Sequence, residues 1–263
     1  MIPPSTRALV LTLAMWLSTA AASGEVRIQE FLGYSLWMDC ERNAPVFFLY
    51  ELGPDTGNFD NHPDYENRVR NYTDAPGLEE CQPDLGSDDD YVAVIAGVEH
   101  DYAPGHLVPL SHLDSDAEEM METRFFANLL PQAPDMNTGA WRRTEVVAEC
   151  RRETAALTIM GGPVWEGEHA NAHFQETDGV ATPASYWKAI IPAGGDPIAW
   201  TVPNTDAAEY SDLADYRLDS IREALAAGGF IPASVRSWLS ATGLLDQTIP
   251  DDPWATCGPA IQS

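Results

Sequence analysis

The sequence is nearly without lysine. Its 263 residues carry 14 lysines and arginines against 41 acids, a net charge of −27, and Lys188 is the single lysine. Such a deficit excludes attachment to nucleic acid or to anionic membranes driven by overall charge. It leaves open a polyanion held by a local cationic site or by a metal. There are four cysteines, no two of them close together as a zinc knuckle requires. Beyond the first 22 residues no apolar run is long enough for a membrane helix. The chain also lacks a Gly-rich phosphate loop, a Gly-x-Ser-x-Gly elbow and a His-Glu-x-x-His pair. No repeat or low-complexity linker divides it. Hydrophobic residues at 44% and charged residues at 21% suit a folded globular chain.

The amino terminus reads as a targeting segment. Arg7 precedes the apolar run Ala8 to Leu17, and Ala20-Ala21-Ala22 supplies small residues where a signal peptidase cuts. The expectation is a signal peptide over residues 1–22, one domain over residues 23–263, and a secreted or periplasmic location. In an oxidising compartment the four cysteines favour two disulfides. Three pairings are possible, and order along the chain favours Cys40 with Cys81 and Cys150 with Cys257.

Hydrophobic patterning predicts strands at Val46–Leu52, at Phe125–Leu130 with a stop at Pro131, and at Ser185–Ile191, while Tyr91–Val98 is an apolar run of small residues. Ala155–Met160 runs into an expected turn at Gly161-Gly162-Pro163. Helical spacing covers Thr138–Arg152, Tyr210–Ala227 and Pro232–Leu245, with Gly228-Gly229 as a breaker. Pro54 to Asp90 reads as a long irregular excursion. Strands and helices mixed without βαβ alternation point to an α+β domain.

Few residues invite chemistry. His106 follows a Pro-Gly turn and precedes a leucine, which alone is a weak signal. Asn137, Trp141 and Glu145 are spaced by four, so a helix starting near Asn137 puts them on one face. Asn137 as a plain helix cap is the bland alternative. The sharper one is an amide oxygen and a carboxylate holding a hydrated Mg²⁺. His112 faces either the cleft or a capping position. Glu166, Glu168, His169 and His173 lie in a polar loop and are not expected to form a metal site.

The segment from Tyr102 to Glu145 resembles the core of the DNA/RNA non-specific endonucleases, the ββα-metal nuclease family. The resemblance rests on Gly105-His106, Asn128-Leu129-Leu130-Pro131-Gln132, Asn137-Thr138-Gly139-Ala140-Trp141 and Glu145, in order. Gly162-Pro163-Val164-Trp165-Glu166 and Thr182-Pro183-Ala184-Ser185-Tyr186-Trp187-Lys188 extend it. It implies a central antiparallel sheet flanked by helices. His106 would be the general base, and Asn128 would orient that base or the scissile phosphate. Asn137 would be the direct ligand of Mg²⁺, with Mn²⁺ as the alternative ion, and Glu145 would hold the metal's waters. DNA and RNA would be cut with little sequence preference to leave 5′-phosphates, with no membrane partner. The family's Asp-Arg before Gly-His is Ala103-Pro104 here. Arg70 is the best match for a second family arginine, with Arg68 and Arg124 as alternatives. The acidic charge adds an expectation of salt tolerance. The rival reading is a relative that has lost catalysis and serves as a binding module.

Overall fold

The computed structural model describes residues 26–56, 72–85 and 90–250. The expected signal peptide, Arg68, Arg70 and Cys257 lie outside the described residues. Six antiparallel strands form the main sheet: β1 (Val26–Glu30), β2 (Ser35–Asp39), β3 (Ala44–Leu52), β7 (Leu157–Val164), β8 (Ser185–Pro192) and β9 (Ile198–Pro203). They run in the order β1-β2-β3-β7-β8-β9. A second, three-stranded sheet joins β4 (Tyr91–Ile95), β5 (Val98–His106) and β6 (Leu129–Gln132) in chain order. Four α-helices matter here: α1 (Ala117–Glu122), α2 (Arg142–Arg152), α3 (Ile221–Ala226) and α4 (Ala233–Ala241). The α+β class, with antiparallel sheets and few helices, is as the sequence suggests.

β3, β7 and β8 are apolar along nearly their whole length because both of their faces are covered. Their side chains, Phe47, Phe48, Ile159, Trp187 and Ile190 among them, make the core. β7 also corrects the expected turn at Gly161-Gly162-Pro163, which is strand through to Val164. A Cβ on Gly161 would stand 2.2 Å from the Trp187 oxygen, and one on Gly162 would stand 2.5 Å from the Val46 oxygen. Here the glycines permit close approach between strands rather than a reversal.

Other boundaries move for local reasons. The apolar run from Tyr91 to Val98 forms β4 and the start of β5. It reverses at Ala96 and Gly97, with φ of 52° and 82°, which suits a two-residue hairpin. The expected strand Phe125–Leu130 begins as a 3₁₀ turn at Phe126–Asn128, and β6 then continues through Pro131 to Gln132. Pro131 is tolerated because β6 lies at a sheet edge. The single helix expected over Tyr210–Ala227 is a 3₁₀ segment, Tyr210–Tyr216, and then α3. Between them Leu218 N–H bonds the Ala199 oxygen at 2.9 Å, so the chain leaves helical geometry to meet β9.

Cys40 and Cys81 form a disulfide that ties the end of β2 to the 72–85 segment, across 41 residues. Cys150 is disulfide-bonded as well. In the chain-entropy picture, closing a loop of 41 residues stabilises by about 4 kcal/mol. The double variant Cys40→Ser/Cys81→Ser should therefore unfold at a clearly lower urea concentration. An unchanged midpoint would show that this bridge contributes no stability.

Candidate active site

β5, β6 and α2 bring the candidate residues together. His106 is the last residue of β5, paired with Leu129 of β6. The chain then crosses to a short helical turn opened by Pro134, where a missing N–H costs nothing. Asn137–Trp141 follows as a π-helical segment with a kink at Gly139, φ −96° and ψ −111°. A Cβ on Gly139 would stand 2.9 Å from the Ala208 oxygen. That same oxygen accepts from Ala140 N–H at 3.2 Å, so only glycine fits this contact. α2 then starts at Arg142.

The kink separates three residues that even spacing would align. Trp141 is buried, and its indole N–H donates to the His106 main-chain oxygen at 3.0 Å. Asn137 and Glu145 instead line a cavity of about 460 Å³ together with His106, Ser111 and Arg142. The structure thus gathers His106, Asn137 and Glu145 in one cleft, with Trp141 beneath them.

His106 is half-buried, and its Nε2 has no hydrogen-bond partner among the described residues. Its ring meets Tyr72 edge-on, with centroids 5.8 Å apart. Removal from water, with the Arg124 guanidinium nearby, lowers the imidazole to about 4. Arg124 is itself buried, 5.1 Å over the Tyr72 ring. It acts on His106 by charge from within the protein.

Asn128, expected to orient either the base or the scissile phosphate, is bonded to main chain beside His106. It is fully buried. Its Oδ1 accepts from Val108 N–H at 3.0 Å, while its Nδ2 donates to the oxygens of Val108 and Thr123 at 2.8 and 2.7 Å. The amide is occupied by main chain. It fixes the main chain just after His106 and so orients that residue indirectly.

Glu145 is buried. Its Oε2 accepts from Arg142 Nη1 at 3.1 Å, and its Oε1 lies 3.9 Å from Lys188 Nζ. Burial raises the carboxyl above its ordinary value, and Lys188 and Arg142 pull it back. Lys188 is fully buried on β8, with its ammonium 3.8 Å from the centre of the Trp141 ring. Burial lowers it to about 8 against the opposing pull of Glu145. His112 faces the core rather than the cleft. Its Nδ1 meets the Tyr50 hydroxyl at 2.7 Å and its Nε2 meets the Glu145 main-chain oxygen at 3.2 Å.

Arg142 escaped the sequence reading. The signal was present: Glu145 and Glu149 lie three and seven positions on, along one helix face. Its Nη1 reaches both carboxylates at 3.1 Å. Among the described residues no three His, Cys, Asp or Glu side chains converge as a metal cluster. The oxygen donors of Asn137 and Glu145 do fit a hard divalent ion that keeps most of its waters.

Comparisons with known proteins bear on the family and the fold. The family described as DNA/RNA non-specific endonuclease matches residues 18–231. The mitochondrial nuclease EXOG of Mus musculus is 28% identical over 134 residues, covering 44% of this chain and 36% of that protein. The chain therefore spans about a third of that relative's length. The crystal structure of the EndoG/EndoGI complex shares the fold with a TM-score of 0.55 at 15% identity, over 80% of this chain and 86% of that one.

One pH dependence follows from the buried histidines. Burial, the largest cause, holds His112 well below 6.5, so the folded state keeps it neutral while the unfolded chain binds a proton there. Its stabilising contribution is complete above about 6.5 and falls as pH drops, at up to about 1.4 kcal/mol per pH unit. Unfolding by urea at pH 7.5 and at pH 5 should show a smaller loss for His112→Gln than for wild type. Equal losses would refute a neutral buried His112.

Proposed function

The chain belongs to the DNA/RNA non-specific endonuclease family, and we propose that it is a metal-dependent endonuclease cutting DNA and RNA with little regard to sequence. The observation that carries the reading is the shared cavity of His106, Asn137 and Glu145. His106 takes the proton of the attacking water. With an imidazole lowered to about 4, it is neutral and ready to accept at pH 7. Bound phosphate adds negative charge beside the ring and raises its basicity when substrate is present. Arg124 opposes protonation until then. Trp141 holds the main chain at His106 and Asn128 holds it two residues on, at Val108, which keeps the ring in one place.

Asn137 and Glu145 would hold a divalent cation, with Mg²⁺ proposed and Mn²⁺ as the alternative. Such an ion supplies neutralisation of charge on the phosphate and on the leaving oxygen. Lys188 supports Glu145 in its ionised form, as the carboxylate needs to be. The second reading, a binding module without catalysis, draws on Ala103-Pro104 in place of the family's Asp-Arg.

The location is proposed as secreted or periplasmic. The apolar residues 8–17 and the three alanines after them support export. The disulfide between Cys40 and Cys81 suits an oxidising compartment. Salt tolerance is proposed from the net charge of −27. At roughly 0.5 M salt the Debye length is about 4 Å, and repulsion of a polyanion is screened.

Plasmid nicking decides between the two readings. Wild type should cut with Mg²⁺ and stop in EDTA, and His106→Ala should lose at least about a hundredfold in rate. Asn137→Ala should need more metal for half-maximal rate. A wild type inert with every divalent ion would favour the binding module. For salt, the initial rate at fixed Mg²⁺ should hold or rise as NaCl increases. A steady fall from about 50 mM upward is the behaviour of binding dominated by counterion release, and it would sink the salt proposal.

A further inference from the structure

A chain with a net charge of −27 must meet a polyanion with positive charge at the point of contact. Three cations stand near the cleft, and two of them are shut away. Arg124 is 2% exposed and Lys188 is 0% exposed. Each packs over an aromatic ring, so neither reaches the cavity without unpacking the protein. Arg142 is different: its side chain is 41% exposed and lines the cavity beside His106 and Asn137. Among the described residues it is the only cation on that wall.

Its hydrogen bonding is lopsided. Glu145 Oε2 and Glu149 Oε1 are both met by Nη1, each at 3.1 Å. Nη2 and Nε of the fork have no protein partner among the described residues. A guanidinium arranged in this way can keep its carboxylates and still offer two parallel donors to a phosphate. Glu149 is fixed in turn by the Ser111 hydroxyl, which donates to it at 2.8 Å. Its carboxylate, bonded to Arg142 Nη1, competes for the guanidinium with the anion that Arg142 would attract.

We propose that Arg142 is the phosphate-binding cation of this cleft and that Glu149 is its built-in competitor. The inference rests on the endonuclease reading and deepens it. Arg142 supplies from the first residue of α2 the charge that Pro104 cannot supply from β5. Glu149 holds the guanidinium in place and weakens its grip on the ligand, and so acts as a positioning residue. The two side chains therefore affect affinity with opposite signs, which a purely structural ion pair would not produce.

The test uses the full-length chain and a fluorescein-labelled single-stranded DNA of twelve nucleotides. Affinity is read by anisotropy in EDTA across a range of NaCl, and kcat/KM is read on the same strand in Mg²⁺. R142Q should bind about tenfold more weakly at low salt, and the slope of log affinity against log salt should shrink by about 0.7. Its kcat/KM should fall by about 10²–10³. R142K, which keeps the charge and loses the fork, should lie between. E149Q still accepts from Ser111 and should bind several-fold more tightly than wild type. Unchanged affinity and rate in R142Q, with wild type active, would overturn the assignment and leave the endonuclease reading intact. So would an E149Q that weakens binding as R142Q does. A wild type that neither binds nor cuts overturns both readings. Circular dichroism checks the fold, and if R142Q does not fold, the opposite signs expected of R142K and E149Q decide.

Discussion

Trp141 donates its indole N–H to the main-chain oxygen of His106, and that bond joins two elements which carry different halves of the site. β5 brings His106, and the helical segment from Asn137 into α2 brings the oxygen donors Asn137 and Glu145. A neutral hydrogen bond of this kind contributes only about 1 kcal/mol to stability. Its value lies in registration. The same ring supports the Lys188 ammonium from below, and that ammonium faces Glu145. Histidine, tryptophan, lysine and carboxylate thus form one chain of contacts, and moving the indole would move all of them. The close fit of Gly139 against Ala208 sets where the indole can sit, because it fixes the kink from which Trp141 projects.

The charges of this protein are sorted by depth. Acids crowd the surface, while two of the few cations, Lys188 and Arg124, are withdrawn into the interior against aromatic faces. A buried cation is costly, and burial alone would drive Lys188 toward its neutral form. The return is local: Lys188 favours an ionised Glu145, and Arg124 favours a neutral His106. Each internal cation thereby biases the protonation state of one neighbour in the cleft. The surface is left free to be acidic without disturbing either group.

How much of this was legible in the sequence differs residue by residue. His106, Asn137 and Glu145 were legible because they share a short stretch of chain in which spacing and residue type carry the information. Asn128 was visible as a residue, but its partners were not. An asparagine that bonds main chain and one that bonds substrate look the same until their partners are seen. Arg142 was hidden by its setting, since an arginine among glutamates on a helix ordinarily signals a surface ion pair. In the fold, the long apolar strands β3 and β8 were plain. The Gly-Gly-Pro of β7 was not, because glycine marks both a reversal and a close crossing of backbones, and only the neighbouring Val46 and Trp187 oxygens tell them apart. The hairpin at Ala96-Gly97 was missed for the converse reason. Alanine seldom takes a positive φ, so nothing in the residue announced the reversal.

The single lysine also gives the molecule a property unrelated to its chemistry. Lys188 is the only position in the chain at which a lysine-specific protease can cut, and it lies at the centre of a buried strand between β7 and β9. Proteolysis needs an extended, accessible segment, so cleavage there requires the main sheet to come apart. Fraying of the termini or opening of a surface loop exposes nothing to such an enzyme. The appearance of two fragments is therefore a count of sheet-opening events, uncontaminated by local motion. In most proteins that measurement requires lysines to be removed by design; here the composition has already done it.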